Sequence, residues 1–94
     1  MPYIIPGERH QLDPFIDKLA SQVELFADGD SLIANSGRLN YICTRLGRRL
    51  MGKPQYWKLA LIAGVFVTVL LEFYRRAGAP YEDRKVAENG DVYD

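Results

Sequence analysis

Four basic residues in the middle of the chain have the spacing of one face of an α-helix, and such a face can contact phosphates. They are Arg45, Arg48, Arg49 and Lys53. Residues 31–60 carry six basic and no acidic side chains, whereas residues 1–30 carry six acidic and two basic ones. The formal net charge is zero and no recognised DNA-binding motif is present. The sequence therefore favours pairing with the acidic segment or plain solvation, with nucleic-acid binding as the alternative.

Three carboxylates near the C-terminus suggest a second alternative, a small metal-dependent hydrolase of nucleotides. Such enzymes hold Mg²⁺ with carboxylates repeated at helical spacing on facing helices. Here Glu72 has no acidic neighbour on its predicted helix, and Glu82 and Asp83 follow only after an expected turn. An ion-pair network with Arg75 and Arg76 is the favoured interpretation. The pattern favours a protein without enzymatic activity.

The remaining reactive side chains form no catalytic constellation. His10 lies near Asp13 and Asp17, but these residues straddle the expected start of a helix, so their geometry is not fixed. Cys43 is the single cysteine, and it falls on an apolar helical stripe without a neighbouring base, as is typical of a buried structural thiol. We predict no catalytic residue, no metal ligand and no cofactor.

Helical periodicity covers most of the chain and defines the elements that carry these residues. Asp13 as N-cap and Pro14 as first helical residue predict the first helix, over 14–27. Beside it we predict an extended segment over 1–12, a loop over 28–37, a second helix from a cap near Ser36 to a stop at Gly52, a third over 55–77 and a fourth over 80–88. Gly78 and Pro80 are expected to separate the last two helices. The expected fold is all-α, a single helical domain over 1–94: a small bundle of three main helices plus a short C-terminal helix and an extended N-terminal segment.

The third predicted helix is apolar on every side over residues 59–71, apart from Gly64 and Thr68. A helix of this kind is buried in protein or in a membrane. The segment is about 20 Å long, shorter than the about 30 Å of a bilayer core, so we do not expect a membrane partner. We expect a second copy of the chain to cover part of it, with Val67 and Leu70 in the interface. The N-terminal residues lack the pattern of a signal peptide, so a cytoplasmic location is expected.

Several stretches carry a resemblance to a known family. They are MPYIIPGER at 1–9, LNYICTRL at 39–46, LEFYRR at 71–76 and APYEDRKVAENGDVY at 79–93. Together they resemble a family of small uncharacterised proteins of bacteria, archaea and phages, a domain of unknown function whose members end in a similar signature. The resemblance covers nearly the whole chain, and it implies no assigned activity and no catalytic residue.

The C-terminal signature supplies further candidates for an interface, because its tyrosines combine apolar area with a hydroxyl group. The candidates are Arg76, Tyr81, Glu82, Asp83, Asn89, Gly90 and Tyr93. Together these observations predict an interaction or assembly protein that is not an enzyme. Its expected partner is a second copy, as a homodimer or higher oligomer, and an unidentified protein is a further candidate.

Overall fold

The structure is a computed structural model that describes residues 3–26 and 32–93. Of these residues 87% are helical, and none lies in a strand. The elements are α1 (Pro6–Phe26), α2 (Leu32–Met51), α3 (Tyr56–Phe73), a π-helical turn (Tyr74–Gly78) and α4 (Ala79–Asn89). Helix α3, the π turn and α4 are joined, so the described part holds three helices of which the last is long. The predicted all-α fold is confirmed.

Helix α1 begins earlier than the sequence predicts. Its first residue is Pro6, and the carbonyl of Ile5 accepts hydrogen bonds from the N–H groups of Glu8 at 3.1 Å and Arg9 at 3.2 Å. Pro6 therefore has the role that the sequence assigned to Pro14, because a proline at the first helical position lacks only an N–H that has no partner there. The predicted N-cap at Asp13 and the extended segment beyond residue 5 are wrong.

The second proline of this region lies inside α1, where prolines are costly. Pro14 has no N–H to donate to the carbonyl of His10, and an interior proline destabilises a helix by about 3 kcal/mol. The apolar pattern nevertheless runs through it, since Leu12, Ile16 and Leu19 keep helical spacing on both sides of the proline. One continuous apolar stripe therefore favours one continuous helix over the break that Pro14 alone suggests.

Helix α2 begins at Leu32, inside the predicted loop 28–37, and residues 28–31 of that loop lie outside the described residues. The hydroxyl of Ser36 donates to the carbonyl of Ile33 at 2.6 Å, one turn back along the helix. Serine satisfies its hydroxyl in this way inside a helix, so Ser36 is not the N-cap that the sequence predicts. The predicted stop is confirmed, because the chain leaves the helix at Gly52 with a positive φ of 68°.

The predicted break after the third helix is wrong, because a π turn carries the helix past Gly78 and Pro80. The N–H of Ala79 donates to the carbonyl of Tyr74, five residues back instead of four. Pro80 follows in the first turn of α4, and it lacks the N–H that the continuing helix would otherwise use for a backbone hydrogen bond. The wider π turn shifts the backbone hydrogen bonds by one residue, so the helix can continue through a proline that would otherwise end it.

The described part of the chain divides into two units, one up to residue 54 with α1 and α2, the other from residue 55 onward with α3, the π turn and α4. In the first unit α1 and α2 meet at Phe26 and Arg38, where the guanidinium lies 5.2 Å from the ring centre. Among the described residues of either unit no large apolar side chain is buried. Each unit therefore exposes apolar faces that its own helices do not cover.

The solvent-accessible surface area of the chain also shows how much surface is left exposed. It amounts to 8636 Å² for the chain. Two separate compact bodies of these two sizes would together expose only about 6,600 Å². The difference is surface that a folded domain buries, so it is available for contacts with other molecules.

Candidate interaction surfaces

The apolar segment, residues 59–71 of α3, contains no charged side chain. Its predicted interface residues Val67 and Leu70 are 52% and 66% exposed. Their spacing brings them to one face of the helix together with Ala63 and Tyr74. By length and composition alone, the joined helix Tyr56–Asn89 could also cross a membrane, and none of its apolar window is buried. The exposed apolar segment is therefore a candidate for contact with another protein or with a membrane.

Polar groups in and beside the apolar segment have local partners. The hydroxyl of Thr68 donates to the carbonyl of Val65 at 2.7 Å, so it brings no unsatisfied donor into a contact. Just past the segment, Nη2 of Arg75 lies 2.6 Å from Oε1 of Glu72. A solvent-accessible helical pair of this kind contributes about 0.3–0.5 kcal/mol. The apolar segment can therefore be covered without burying an unsatisfied polar group.

A hydrogen bond between two side chains spans the π turn. The hydroxyl of Tyr74 donates to Oε2 of Glu82 at 3.0 Å. This hydrogen bond raises the pKa of Tyr74 above its usual 10.0, and the negative charge of Glu82 raises it further by disfavouring the phenolate. The ring of Tyr74 lies over Gly78, where a Cβ would come within 2.7 Å of Cδ2. A glycine is therefore needed at this position for the ring to lie there.

The interface residues predicted in the C-terminal signature are distributed along the end of the long helix. Arg76 is in the π turn, Tyr81, Glu82 and Asp83 are in α4, Asn89 is its last residue, and Gly90 and Tyr93 follow it. The cationic groups of Arg84 and Lys85 lie 5.9 Å and 5.6 Å from the ring centre of Tyr81. Lys85 also pairs with Glu88 at 3.0 Å. Glu82 and Tyr81 thus have partners within the helix, whereas Tyr93 is 82% exposed.

The carboxylates considered as metal ligands are not gathered into a site. In the part of the chain that the structure describes, no three His, Cys, Asp or Glu side chains lie close enough to hold a metal ion. Glu72 is paired with Arg75, and Glu82 accepts the Tyr74 hydroxyl.

The structure brings three of the four predicted basic residues together at the end of α2. They line a depression of about 550 Å³, which we call the arginine cleft. Its lining consists of Arg45, Arg48, Arg49, Met51, Gly52 and Pro54, without Lys53. Nη1 of Arg45 also donates to the hydroxyl of Tyr41 at 3.3 Å. Among residues 3–26 and 32–93 none of these three arginines forms an ion pair, so the expected pairing with the acidic first segment is absent from the described part.

A second depression, of about 490 Å³, lies between α1 and α2 and is mostly apolar. Its lining includes Ile16, Leu19 and Val23 of α1 and Leu39 and Leu46 of α2. Cys43 on the same helix is half-buried. This groove is the inner side of the helical hairpin, so the apolar stripe of α2 is turned toward α1.

The sequence did not single out Tyr74, Gly78 or Tyr41 as site residues. For the first two a signal exists, because Tyr74, Gly78 and Glu82 follow one another at intervals of four and share a helix face. The expected break at Gly78 concealed that signal. Tyr41 stands four residues before Arg45, which is the same kind of spacing.

Comparison with known proteins agrees with the resemblance noted in the sequence. Residues 1–92 match a family described as a domain of unknown function, DUF6899. No curated protein and no solved structure matches the chain. The match assigns no activity, so the surfaces described above are what indicates a function.

Proposed function

We propose an assembly function for this chain, which belongs to the DUF6899 family, a domain of unknown function. In this proposal two or more copies associate through the apolar segment of α3, and the protein catalyses no reaction. The observation that carries it is that the segment has no charged side chain and lies exposed or half-buried along its whole length. A helix that is apolar all round requires cover on more than one side.

The energy available from covering the segment lies within the range that association costs. Burying a Val, Leu or Phe side chain completely stabilises by about 1.5–3 kcal/mol, and these side chains are already about half covered by their own helix. In a two-fold dimer each residue is buried twice, so five or six of them contribute about 10 kcal/mol. Association costs about 4–15 kcal/mol, so the balance is favourable once flanking contacts add to it.

Small residues in the segment would allow the partner helix to approach closely. Ala60, Gly64 and Thr68 are spaced four apart and so form a stripe along one side of α3. No atom lies within 4 Å of the position that a Cβ on Gly64 would occupy. Val67 borders this stripe, so it would contact a helix that packs against it.

A bilayer is the competing cover, and the length of the segment argues against it. The uncharged stretch is about 20 Å long against about 30 Å of hydrocarbon. Lys58 precedes it closely and Glu72 follows it at once, and both would have to leave water in a spanning helix. A protein cover, and with it a cytoplasmic location, is therefore part of the proposal.

The remaining alternative, a metal-dependent nucleotide hydrolase, has less support. Its carboxylates are engaged elsewhere, since Glu72 pairs with Arg75 and Glu82 accepts a hydrogen bond from Tyr74. An unidentified protein could also cover α3, but a second copy is always present at equal concentration and carries the matching surface.

The test compares two substitutions in the segment with one outside it. The double variant Val67→Asp, Leu70→Asp places charges in the proposed interface, whereas Val92→Asp changes a more exposed apolar residue of the tail. We expect the absolute mass, measured by light scattering after size exclusion, to fall to that of the monomer only for the double variant. Circular dichroism checks that the helices persist.

A milder pair of substitutions guards against simple misfolding. Val67→Ala with Leu70→Ala removes apolar area without adding charge. It should raise the dissociation constant of the dimer about 100-fold, which corresponds to about 3 kcal/mol. An oligomer that keeps its mass and its dissociation constant in both double variants would show that α3 is not the interface.

A further inference from the structure

We propose that the arginine cleft binds the backbone of single-stranded nucleic acid. This inference is independent of the proposed self-association, because it concerns a different helix and a different unit of the chain.

The geometry of α2 presents the cleft residues on one side. At about 100° per residue, Tyr41, Arg45, Arg48 and Arg49 fall within a sector of about 100° around the helix axis. The apolar positions of α2 lie on another side and line the groove toward α1. On the basic side of α2 the hairpin contact involves Arg38, which lies over Phe26 two turns before Arg45.

The chemistry of this side fits phosphate next to a base. Guanidinium groups bind phosphate oxygens in a forked geometry, and three of them line one cleft here. Tyr41 is 61% exposed, and its hydroxyl accepts the hydrogen bond from Arg45, so an exposed aromatic ring lies beside one of the three arginines, although it does not line the cleft itself. Arginines interleaved with an exposed aromatic ring are the elements with which proteins hold single strands.

The size of the cleft is consistent with that ligand. Its about 550 Å³ is within the range of about 300–1,000 Å³ for pockets that take small molecules, and a single nucleotide unit falls in this class. Residues 31–60 contain no acidic side chain that would repel a phosphate. Arg48 and Arg49 also lie in the last turn of α2 and favour its negative end, but that role requires neither a cleft nor Tyr41.

The competing occupant is the acidic side of α1 in a second copy. Asp13, Asp17 and Glu24 share one face of α1 and could pair with arginines of another chain. A carboxylate stripe would also match a basic face, whereas the exposed ring of Tyr41 beside Arg45 adds a stacking surface that favours a nucleotide. The experiment distinguishes the two.

The test uses the full chain and a fluorescein-labelled oligo(dT) of about 20 nucleotides, followed by fluorescence anisotropy. If three phosphates are neutralised, the logarithm of affinity falls with the logarithm of salt concentration with a slope of about −2, so binding weakens about 20-fold between 50 and 200 mM salt. The triple variant Arg45→Gln, Arg48→Gln, Arg49→Gln should bind at least about tenfold more weakly and lose most of this slope.

Two controls separate the cleft from general charge. The triple variant Arg9→Gln, Lys18→Gln, Arg84→Gln removes as many positive charges elsewhere and should bind like the wild type. Tyr41→Leu should weaken binding about tenfold by loss of stacking while keeping the salt slope.

Three results would overturn the proposal. They are no binding of the wild type at 50 mM salt, equal losses in the two triple variants, and a fall in the oligomer's mass when the cleft arginines are replaced. The last result would assign the cleft to the acidic stripe of a second copy.

Discussion

Helices α2 and α3 have similar lengths, 20 and 18 residues, but they arrange their side chains in opposite ways. Helix α2 separates an apolar stripe from a basic side, and the stripe faces α1 across an apolar groove in which Leu39 and Leu46 remain 61% and 53% exposed. Helix α3 is apolar in every direction over residues 59–71, so a single neighbour would leave part of it in water. In our two proposals the outer side of α2 binds a charged ligand, and α3 mediates assembly.

The strongest test of this difference uses one glycine in each helix. Neither Gly37 of α2 nor Gly64 of α3 has an atom within 4 Å of the position of an added Cβ. In the single chain Gly→Ala should therefore stabilise both helices by up to about 1 kcal/mol. In the assembly, Gly64→Ala should crowd the partner helix at a cost of about 1–3 kcal/mol, which weakens the dimer about 10- to 100-fold.

The measurement is the dimer dissociation constant of the two alanine variants by sedimentation equilibrium. Gly37→Ala is the matched control and should leave that constant unchanged. If both substitutions leave the dissociation constant unchanged, the small-residue stripe of α3 does not lie in the dimer interface. The two helices then do not differ in their role in assembly at these positions.

A third glycine extends the comparison to the end of the long helix. At Gly78 an added Cβ would lie 2.7 Å from Cδ2 of Tyr74, a ring atom that cannot move without displacing the whole side chain. We expect Gly78→Ala to destabilise the protein by about 1–2 kcal/mol, because overpacking outweighs the gain in helix propensity. Urea unfolding followed by circular dichroism checks this, and a stabilisation equal to that of Gly37→Ala would contradict the ring position.

The smallest expected effect is the pH dependence due to Tyr74. Glu82 holds the pKa of Tyr74 above 10.0 in the folded chain, so the folded state binds this proton more tightly than the unfolded state. The stabilisation is present in full below pH 10 and is lost as pH rises through the raised pKa of the folded state. Glu82→Gln should move the pKa back toward 10.0, as measured by ultraviolet absorbance titration with Tyr74→Phe to identify the signal. An unchanged pKa of Tyr74 in the Glu82→Gln variant would show that the hydrogen bond does not form.

The helical pattern was sufficient to predict the class of fold, but it misplaced the starts of α1 and α2 and predicted a break after α3. The apolar periodicity of α2 and the long apolar run of α3 indicated helices because helix propensity and apolar pattern agree there. At Pro14 and Pro80 local rules predicted boundaries, and the structure continues the helix at both. In the first case a stripe in phase across the proline prevails, and in the second a π turn changes the hydrogen-bond register by one residue.

The residues of the candidate surfaces were also predicted only in part. Spacing alone placed Arg45, Arg48 and Arg49 on one helix face, and the structure brings them into one cleft. Lys53 follows the end of α2, so helical spacing no longer applies to it, and it does not line the cleft. The hydrogen bond between Tyr74 and Glu82 was not predicted, although their spacing indicates it, because it forms only if the helix continues where the sequence suggests a break.

The most direct test of the account is the absolute mass of the purified protein in detergent-free buffer, measured by light scattering over a series of concentrations. The account predicts a soluble dimer or higher oligomer, with at least twice the 10.7 kDa of one chain, that dissociates only on dilution. A mass of 10.7 kDa at every concentration, or protein that is recovered only with detergent, would contradict assembly through α3.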